Sequence, residues 1–486
     1  MHHNRYGHYV LPLSLSLALL AISTSPKAED TQALPKAPSN PSYAAKVQKI
    51  AAVTTPLKGQ ATASGFIAGQ ALTLTTRNFA AREQRSDSWS FNIGKSDGSQ
   101  EPTYKRSTWV QGTVLKYNSG YTEGTLGLGL DIAAFNAINL ERGTGRIAGG
   151  GNRTLADNDG HGVASWSKLG VAALRARISS TELKAGRMLV DTPVFGYIDN
   201  RALPSSFNGV ALTSEELDNL ALQAGSFGKT SPRTGAGDET FTTEYGTRAV
   251  TGDRFNYLGG TYKPLQSLEL AAYGGRFESI WDQYYLGITH TVGERQNLEL
   301  RSAFNGYHTR DSGSRLAGYI DNNAWSLAFT LAHQANALTL GWQQIDGDEY
   351  FDYVHETAAI YLANSLLSDY NGPNEKSLQL RYETDWSYIG VPGLSTSAWY
   401  AKGWDIDGTG YTGDRNGAYG NYAEVRAMED ERHHEYGLMA KYQVQSGALK
   451  NSSFKLQYMS HKASKNQADG SINELRLVST LPFNLL

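Results

Sequence analysis

The stretch Thr125–Ile132 reads TLGLGLDI, with a leucine or isoleucine at every second position. Successive side chains of a β-strand point to opposite faces, so this period of two puts the apolar residues on one face of a strand. The same alternation returns at Leu378–Tyr382, Phe454–Tyr458 and Leu475–Leu477. A pattern that recurs over more than 400 residues predicts an all-β protein.

The second face of one predicted strand, Val171–Ile178, is strongly polar. Leu174 and Ala176 lie on one side of this strand, whereas Arg175 and Arg177 lie on the other. A strand with one face suited to lipid and the other to water is typical of a membrane β-barrel. The sequence therefore predicts a transmembrane antiparallel β-barrel.

The composition excludes several classes of protein. The chain has 486 residues and a formal net charge of −3, whereas a nucleic-acid-binding surface needs an excess of basic residues. It contains no cysteine, so we expect neither disulfides nor thiolate-bound metal. The mean hydropathy of −0.43 is compatible with a membrane barrel, because only half of each strand faces lipid.

The N-terminal part differs from the rest of the chain. The apolar run Val10–Ile22 is shorter than the roughly 20 residues of a membrane-spanning helix and favours a signal peptide over residues 1–28. A buried apolar helix is the alternative. Residues 29–63 contain several prolines and predict a periplasmic tail or linker, or else a plug or a segment that contacts the cell envelope. Residues 64–486 are the predicted barrel.

From Gly65–Arg77 to Glu474–Leu485 we predict about 18 strands, enough to leave an aqueous lumen. Short turns alternate with long polar connections such as Asp346–Lys376, as they do at the periplasmic and extracellular ends of outer-membrane barrels. The predicted short turns include Ser179–Ser180, Val292–Glu294 and Gln445–Ala448.

Several longer motifs occur in a fixed order along the predicted barrel. They include LTTRNF at 74–79, SGYTEG at 119–124, LRARIS at 174–179, DNRALP at 199–204, NEKSLQLRY at 374–382 and VQSGALK at 444–450. In this order and spacing the motifs resemble the OprD-type substrate-specific outer-membrane porins. The resemblance extends from Gly65 to the C-terminus.

This resemblance implies an 18-stranded barrel with one pore per chain in the outer membrane of a Gram-negative bacterium, often packed as loose trimers. It implies that the loop around Pro193–Gly209, which contains Tyr197, Asp199 and Arg201, folds inward to form a constriction. It also implies a ladder of basic side chains that guides the carboxylates of substrates. The matching positions are Arg77, Arg175, Arg177 and Arg381, with Lys455 in the last basic strand.

Elementary energetics supports an inward orientation of three of these arginines. Arg175, Arg177 and Arg381 alternate with apolar residues, and an arginine on the lipid face would cost about 2–4 kcal/mol at the midplane. Several cations inside a narrow lumen focus the electric field and attract anions. The alternative is that these arginines pair with acidic residues and brace the barrel. Asp199 and Arg201 could likewise form a filter or anchor the loop through salt bridges.

The sequence thus predicts a porin, not an enzyme, that takes up small carboxylate-bearing nutrients without a cofactor. Its partners would be these solutes, outer-membrane lipid and the barrel-assembly machinery, with no nucleic acid. The residues Gly94–Gly98 match the G-x-S-x-G motif of hydrolases, but a polar loop follows where that motif needs a helix. An adhesin or structural barrel that acts through its long surface loops is the alternative function.

Overall fold

The computed structural model describes residues 59–86, 90–94, 100–141, 163–245, 250–413 and 422–486. The predicted signal peptide over residues 1–28 and residues 29–58 of the predicted linker lie outside these ranges. Within the described ranges, no helix is both long and apolar enough to cross a membrane.

The described residues form 22 strands and three short helical segments. The strands are β1 (Ala71–Ser86), β2 (Phe91–Gly94), β3 (Gln100–Thr103), β4 (Lys105–Asn118), β5 (Leu126–Asn139), β6 (Ser165–Ile178), β7 (Thr181–Met188), β8 (Ser206–Leu217), β9 (Leu220–Ser231), β10 (Phe241–Thr242), β11 (Thr251–Gly252), β12 (Phe255–Leu265), β13 (Leu268–Phe277), β14 (Trp281–Glu294), β15 (Leu298–Asp311), β16 (Asp321–His333), β17 (Asn336–Asp346), β18 (Lys376–Asp385), β19 (Leu394–Ile406), β20 (Glu431–Gln443), β21 (Ser453–Ala463) and β22 (Ser471–Asn484). The helical segments are two 3-10 turns, Gln60–Thr62 and Trp386–Ile389, and an α-helix, Tyr422–Arg426.

Eighteen of these strands form one antiparallel sheet, and the two pairs β2–β3 and β10–β11 are separate hairpins. The last strand, β22, pairs with β1, and β1 in turn pairs with β4, so the sheet closes into a barrel. Closure satisfies the backbone hydrogen bonds of every barrel strand and leaves no open edge in the membrane. The predicted 18-stranded antiparallel barrel is confirmed.

The two faces of the barrel wall follow the alternation of the sequence. Leu126 and Leu128 are 49% and 50% exposed on the outside of β5, whereas Gly127 and Gly129, which alternate with them, are buried. Outward-facing leucine, isoleucine, valine and tyrosine side chains recur on strand after strand, and they form the apolar surface that lipid covers. The inward-facing side chains are largely polar and buried by the wall and by loops.

Some predicted boundaries of strands and turns differ from the structure. The first strand was expected at Gly65–Arg77, but residues 66–69 form a turn in which Gly69 N–H bonds to the Gly65 carbonyl, so β1 begins later. It also extends to Ser86, because β22 and β4 pair with its polar second half from both sides. The turn predicted at Val292–Glu294 lies at residues 295–297, since β14 stays paired with β15 through Glu294.

Candidate functional site

Two long connections fold into the lumen. The first inner loop, residues 189–205, joins β7 to β8, and the second inner loop, residues 347–375, joins β17 to β18. Most of their side chains are buried, and they bond to inward-facing residues of the wall. For example, Gln343 on β17 donates to the carbonyl of Asp369, and Gln379 on β18 donates to that of Ala363, each at 3.0 Å. These contacts hold the loops inside the barrel.

The two inner loops are also bonded to one another. Ala358 N–H donates to the Gly196 carbonyl at 2.8 Å, and Tyr197 forms a β-bridge with Thr357. Ser205 Oγ donates to the Glu356 carbonyl at 2.8 Å. The first inner loop, which contains the predicted constriction, is therefore positioned by the second.

An ion pair attaches the second inner loop to the connection between β9 and β12. His355 Nδ1 lies 2.5 Å from a carboxylate oxygen of Glu244. Burial disfavours the charged imidazole, but the carboxylates of Glu244 and Glu356 outweigh burial and raise the pKa of His355 to about 9. His355 is therefore charged at neutral pH, and the pair is maintained.

The hydroxyl of one wall residue, Tyr307, is hydrogen-bonded to both inner loops. Its removal therefore tests how these loops are attached. Tyr307 on β15 donates its hydroxyl to the Pro193 carbonyl and accepts from Tyr361 N–H, both at 3.0 Å. The Tyr307→Phe variant leaves both buried partners unsatisfied, at a cost of about 1–3 kcal/mol each. We expect a lower unfolding temperature and additional conductance levels in single-channel records. A control variant, Tyr284→Phe, alters a tyrosine on the exposed face of β14 and should change neither property.

Arg77 connects the barrel wall to the first inner loop. Its guanidinium, on β1, contacts both carboxylate oxygens of Asp199, at 2.6 and 3.2 Å, and donates to the Arg201 carbonyl at 2.9 Å. The side chains of Arg77 and Asp199 are 2% and 0% exposed. Arg77 Nε also donates to Thr480 on β22. The predicted ladder residue Arg77 and the predicted loop residue Asp199 are thus one buried ion pair.

A small cleft lies beside this pair. Its lining consists of Arg77, Phe79, Asp199, Asn200, Arg201, Lys455, Arg476 and Val478. Burial, reinforced by the nearby charge of Arg233, lowers the pKa of Arg201 to about 10, so Arg201 is charged at neutral pH. Arg476 is paired with Glu474 at 2.6 Å. Four basic residues from the wall and the first inner loop thus meet at one cleft.

Lys455 also has a basic neighbour on the adjacent strand, β20. It lies directly opposite Lys441 in the pairing of β21 with β20. Within the described ranges, neither ammonium forms an ion pair with a carboxylate. Like charges at directly opposed positions destabilise a sheet, so stability of the barrel does not explain this arrangement.

Arg381 lies further along the same wall, on β18, and is 1% exposed. Its Nη2 contacts Glu383 at 2.9 Å, and its guanidinium lies over the ring of Trp399 at 5.4 Å. Within the described residues, its buried Nε and Nη1 have no hydrogen-bond partner, which is unusual for buried donors. A molecule in the lumen can bind them only if the groups that cover Arg381 move aside.

Arg175 and Arg177 form a separate group at the turn end of β6. Arg175 pairs with Asp131 at 3.0 Å, and Arg177 lies over the ring of Tyr121 at 3.8 Å. Arg177 Nε also donates to Gln60 at 3.0 Å, and the backbone of Gln60 bonds to the turn after β6. The end of the predicted linker therefore contacts this group, which is distinct from the cleft at Arg77.

Sequence reasoning missed three residues of this site, although two of them carried a usable signal. Arg476 stands between Leu475 and Leu477, and the alternation that marks this strand places Arg476 inward. Lys441 similarly precedes the outward-facing Tyr442. Tyr307 had no such signal, because its role depends on the path of the two inner loops.

The comparisons with known proteins agree with this architecture. Residues 64–485 match the family described as outer membrane porin, OprD family. The chain is 38% identical over 438 residues to Porin D of Pseudomonas aeruginosa, covering 88% of this chain and 94% of that protein. The crystal structure of OccD3 (OpdP) of P. aeruginosa is 64% identical and has a TM-score of 0.81, covering 93% of this chain and all of that one. The structure of P. aeruginosa OpdK with vanillate is 27% identical, with a TM-score of 0.73, covering 86% of this chain and all of that one.

An 18-stranded barrel with an apolar outer surface and a polar lumen narrowed by inner loops defines an outer-membrane channel, not an enzyme. The chain belongs to the OprD family of outer-membrane porins. It is a substrate-specific channel of the Gram-negative outer membrane.

Proposed function

We propose that this channel takes up small carboxylate-bearing nutrients by facilitated diffusion. The observation that carries the proposal is the opposed pair Lys441 and Lys455, which has no carboxylate partner and adjoins the cleft lined by Arg77 and Arg476. Two ammonium groups that face each other repel one another, and an anion between them stabilises their charged forms.

The surroundings of these residues strengthen their effect on an anion. At 4 Å, a carboxylate gains about 1 kcal/mol from one cation in bulk water and about 4 kcal/mol at an effective dielectric constant of 20. The inner loops occupy much of the space beside the wall that water would otherwise fill. The larger gain, for an effective dielectric constant of 20, therefore applies there. In the strand order around the barrel, β18 with Arg381 and β6 with Arg175 and Arg177 lie on either side of the strands that line the cleft.

The ion pairs of the wall are compatible with both roles that the sequence predicts for the arginines, namely bracing the barrel and guiding carboxylates. Arg77 and Asp199 brace the first inner loop, and Arg201, held in the same loop, presents its charge to the cleft. Two donors of Arg381 have no partner among the residues that the structure describes. We therefore assign bracing mainly to Arg77 and guiding mainly to Lys441, Lys455 and Arg381. The solute seen in OpdK, vanillate, is a carboxylate, which accords with this class of substrate.

Planar-bilayer recording tests this function. We expect the purified protein to show a small single-channel conductance that prefers anions, and millimolar carboxylates to be carried or to block the current. Neutral amides of the same size provide the matched comparison and should have little effect. Lys441→Ala/Lys455→Ala should reduce the preference for anions by roughly tenfold, the factor expected from about 1.4 kcal/mol. Equal permeation of carboxylates and amides through a folded barrel would refute the proposal.

A further inference from the structure

Two buried histidines meet at the loop end of the barrel, away from the basic cleft. His433 on β20 and His461 on β21 are 2% and 0% exposed, and their rings are perpendicular with centroids 4.9 Å apart. Asp469, in the connection between β21 and β22, is half-buried beside them. One ligand atom from each of the three residues lies within 4.8 Å of the others.

The hydrogen bonds of the two rings fix which nitrogens carry protons. His461 Nδ1 lies 2.7 Å from the Gly470 carbonyl, which can only accept, so Nδ1 donates. His433 Nε2 lies 2.5 Å from the Glu375 carboxylate and likewise donates. In neutral imidazoles the remaining nitrogens, His433 Nδ1 and His461 Nε2, then present lone pairs to one another across 2.7 Å. Such an arrangement needs a cation between the two nitrogens.

The third residue favours a metal ion over a proton. A shared proton would satisfy the two nitrogens, whereas a metal ion would also bind the carboxylate beside them directly. Asp469 is held through Oδ2 by Ser368 and Gln467, and neither of these bonds uses Oδ1. Histidine nitrogens and a carboxylate are common zinc ligands. Metal-bound histidines usually donate their second N–H to a carboxylate or a backbone carbonyl, as His433 and His461 do here.

We propose that His433 Nδ1, His461 Nε2 and the Asp469 carboxylate bind a divalent transition-metal ion of the zinc type. Tetrahedral zinc with bonds of about 2.0 Å sets its ligand nitrogens about 3.3 Å apart. The rings thus need to separate by about 0.6 Å from their present distance. The half-buried Asp469 gives the ion a route from the loop end.

Metal binding would connect four parts of the channel. The ligands come from β20, β21 and the connection between β21 and β22. Their supporting residues, Glu375 and Ser368, belong to the second inner loop. The ion would therefore attach the second inner loop to the wall at β20 and β21. Tyr307 on β15 contacts the same loop at a different part of the wall.

Titration of the purified full-length protein with Co²⁺ and Zn²⁺, after removal of metals by a chelator, tests the site. We expect one ion per chain, visible d–d absorption from Co²⁺ in a tetrahedral N/O site, displacement by Zn²⁺ and a rise in the unfolding temperature. His461→Ala should weaken binding by at least about 100-fold, and Asp469→Asn by about tenfold. Glu375→Gln keeps all three ligands but should weaken binding about 10–100-fold, because it removes the negative charge of the carboxylate to which His433 Nε2 donates.

His434→Ala is the matched control, because His434 follows His433 on β20 but is not part of the cluster, and its affinity should equal that of the parent protein. Heat-modifiable migration shows whether each variant is folded. Absence of the Co²⁺ spectrum from the folded parent protein would overturn the metal site and identify a proton shared by the two histidines. Identical binding by the parent and Asp469→Asn would overturn the three-residue site, because it would exclude Asp469 as a ligand. The anion preference of the channel is measured separately and does not depend on this outcome.

Discussion

The Arg77→Ala variant is expected to show a conductance about twofold or more above that of the parent channel, with weaker discrimination among solutes. Removing the guanidinium leaves the fully buried Asp199 carboxylate without its cation, and breaking a buried pair in this way costs about 3–5 kcal/mol. It also removes the bond to the Arg201 carbonyl. The first inner loop should therefore leave the wall and widen the lumen.

Single-channel recording and reversal potentials in a salt gradient measure both parts of this expectation. Arg82→Ala is a suitable control, because Arg82 lies on the exposed face of the same strand, β1, and its loss removes one positive charge from the same barrel. Arg77→Lys keeps the charge but cannot contact both oxygens of Asp199 at once, so an intermediate conductance is expected.

The double variant Arg77→Ala/Asp199→Asn separates bracing from guiding. Without either charge, the loop is no longer penalised by an unpaired buried carboxylate, so the conductance should return towards that of the parent protein. If Arg77 also guides anions, carboxylate flux stays low while the conductance recovers. Recovery of both would show that Arg77 braces the loop only. A conductance that stays high would mean that the loop needs the ion pair itself, and not only relief from an unpaired carboxylate.

The number and faces of the strands could be predicted because both follow from local alternation. The alternation of side chains along a strand is sufficient to place Leu126 and Leu128 outward and Arg175 inward. Strand ends were less predictable, as at Gly65, where a backbone turn replaces the expected first residues of β1. Polar residues at a strand end carry no hydrophobic signal, and whether they stay paired depends on both neighbouring strands.

The pairing of lumenal charges was beyond the reach of the sequence for a different reason. Arg77 and Asp199 are 122 positions apart, and their contact depends on the course of the first inner loop. The opposition of Lys441 and Lys455 depends on the register of β20 with β21, which the turn between them sets. That turn was predicted at Gln445–Ala448 but extends over residues 444–452, so the sequence could not establish the register.

The Arg381→Ala variant is expected to lower carboxylate flux about tenfold, while the flux of neutral solutes of the same size changes little. Among the described residues, two donors of the buried Arg381 guanidinium have no hydrogen-bond partner. A carboxylate that displaces the groups covering Arg381 can accept from them, and a hydrogen bond to a charged group contributes about 1.5–3 kcal/mol. Liposome uptake of radiolabelled carboxylates and their amides measures the difference directly. An equal loss for both solutes would instead indicate a collapsed lumen.

Glu383→Gln provides the opposite change at the same place. Glu383 neutralises part of the Arg381 charge at 2.9 Å, and its side chain is 34% exposed. The amide keeps the shape but removes the negative charge, so the anion preference should rise and carboxylates should bind more strongly. If Arg381 served only to brace the wall through this pair, Glu383→Gln and Arg381→Ala would shift stability in the same direction and leave selectivity unchanged. Opposite shifts in selectivity from the two variants are therefore the result that assigns Arg381 to the path of the solute.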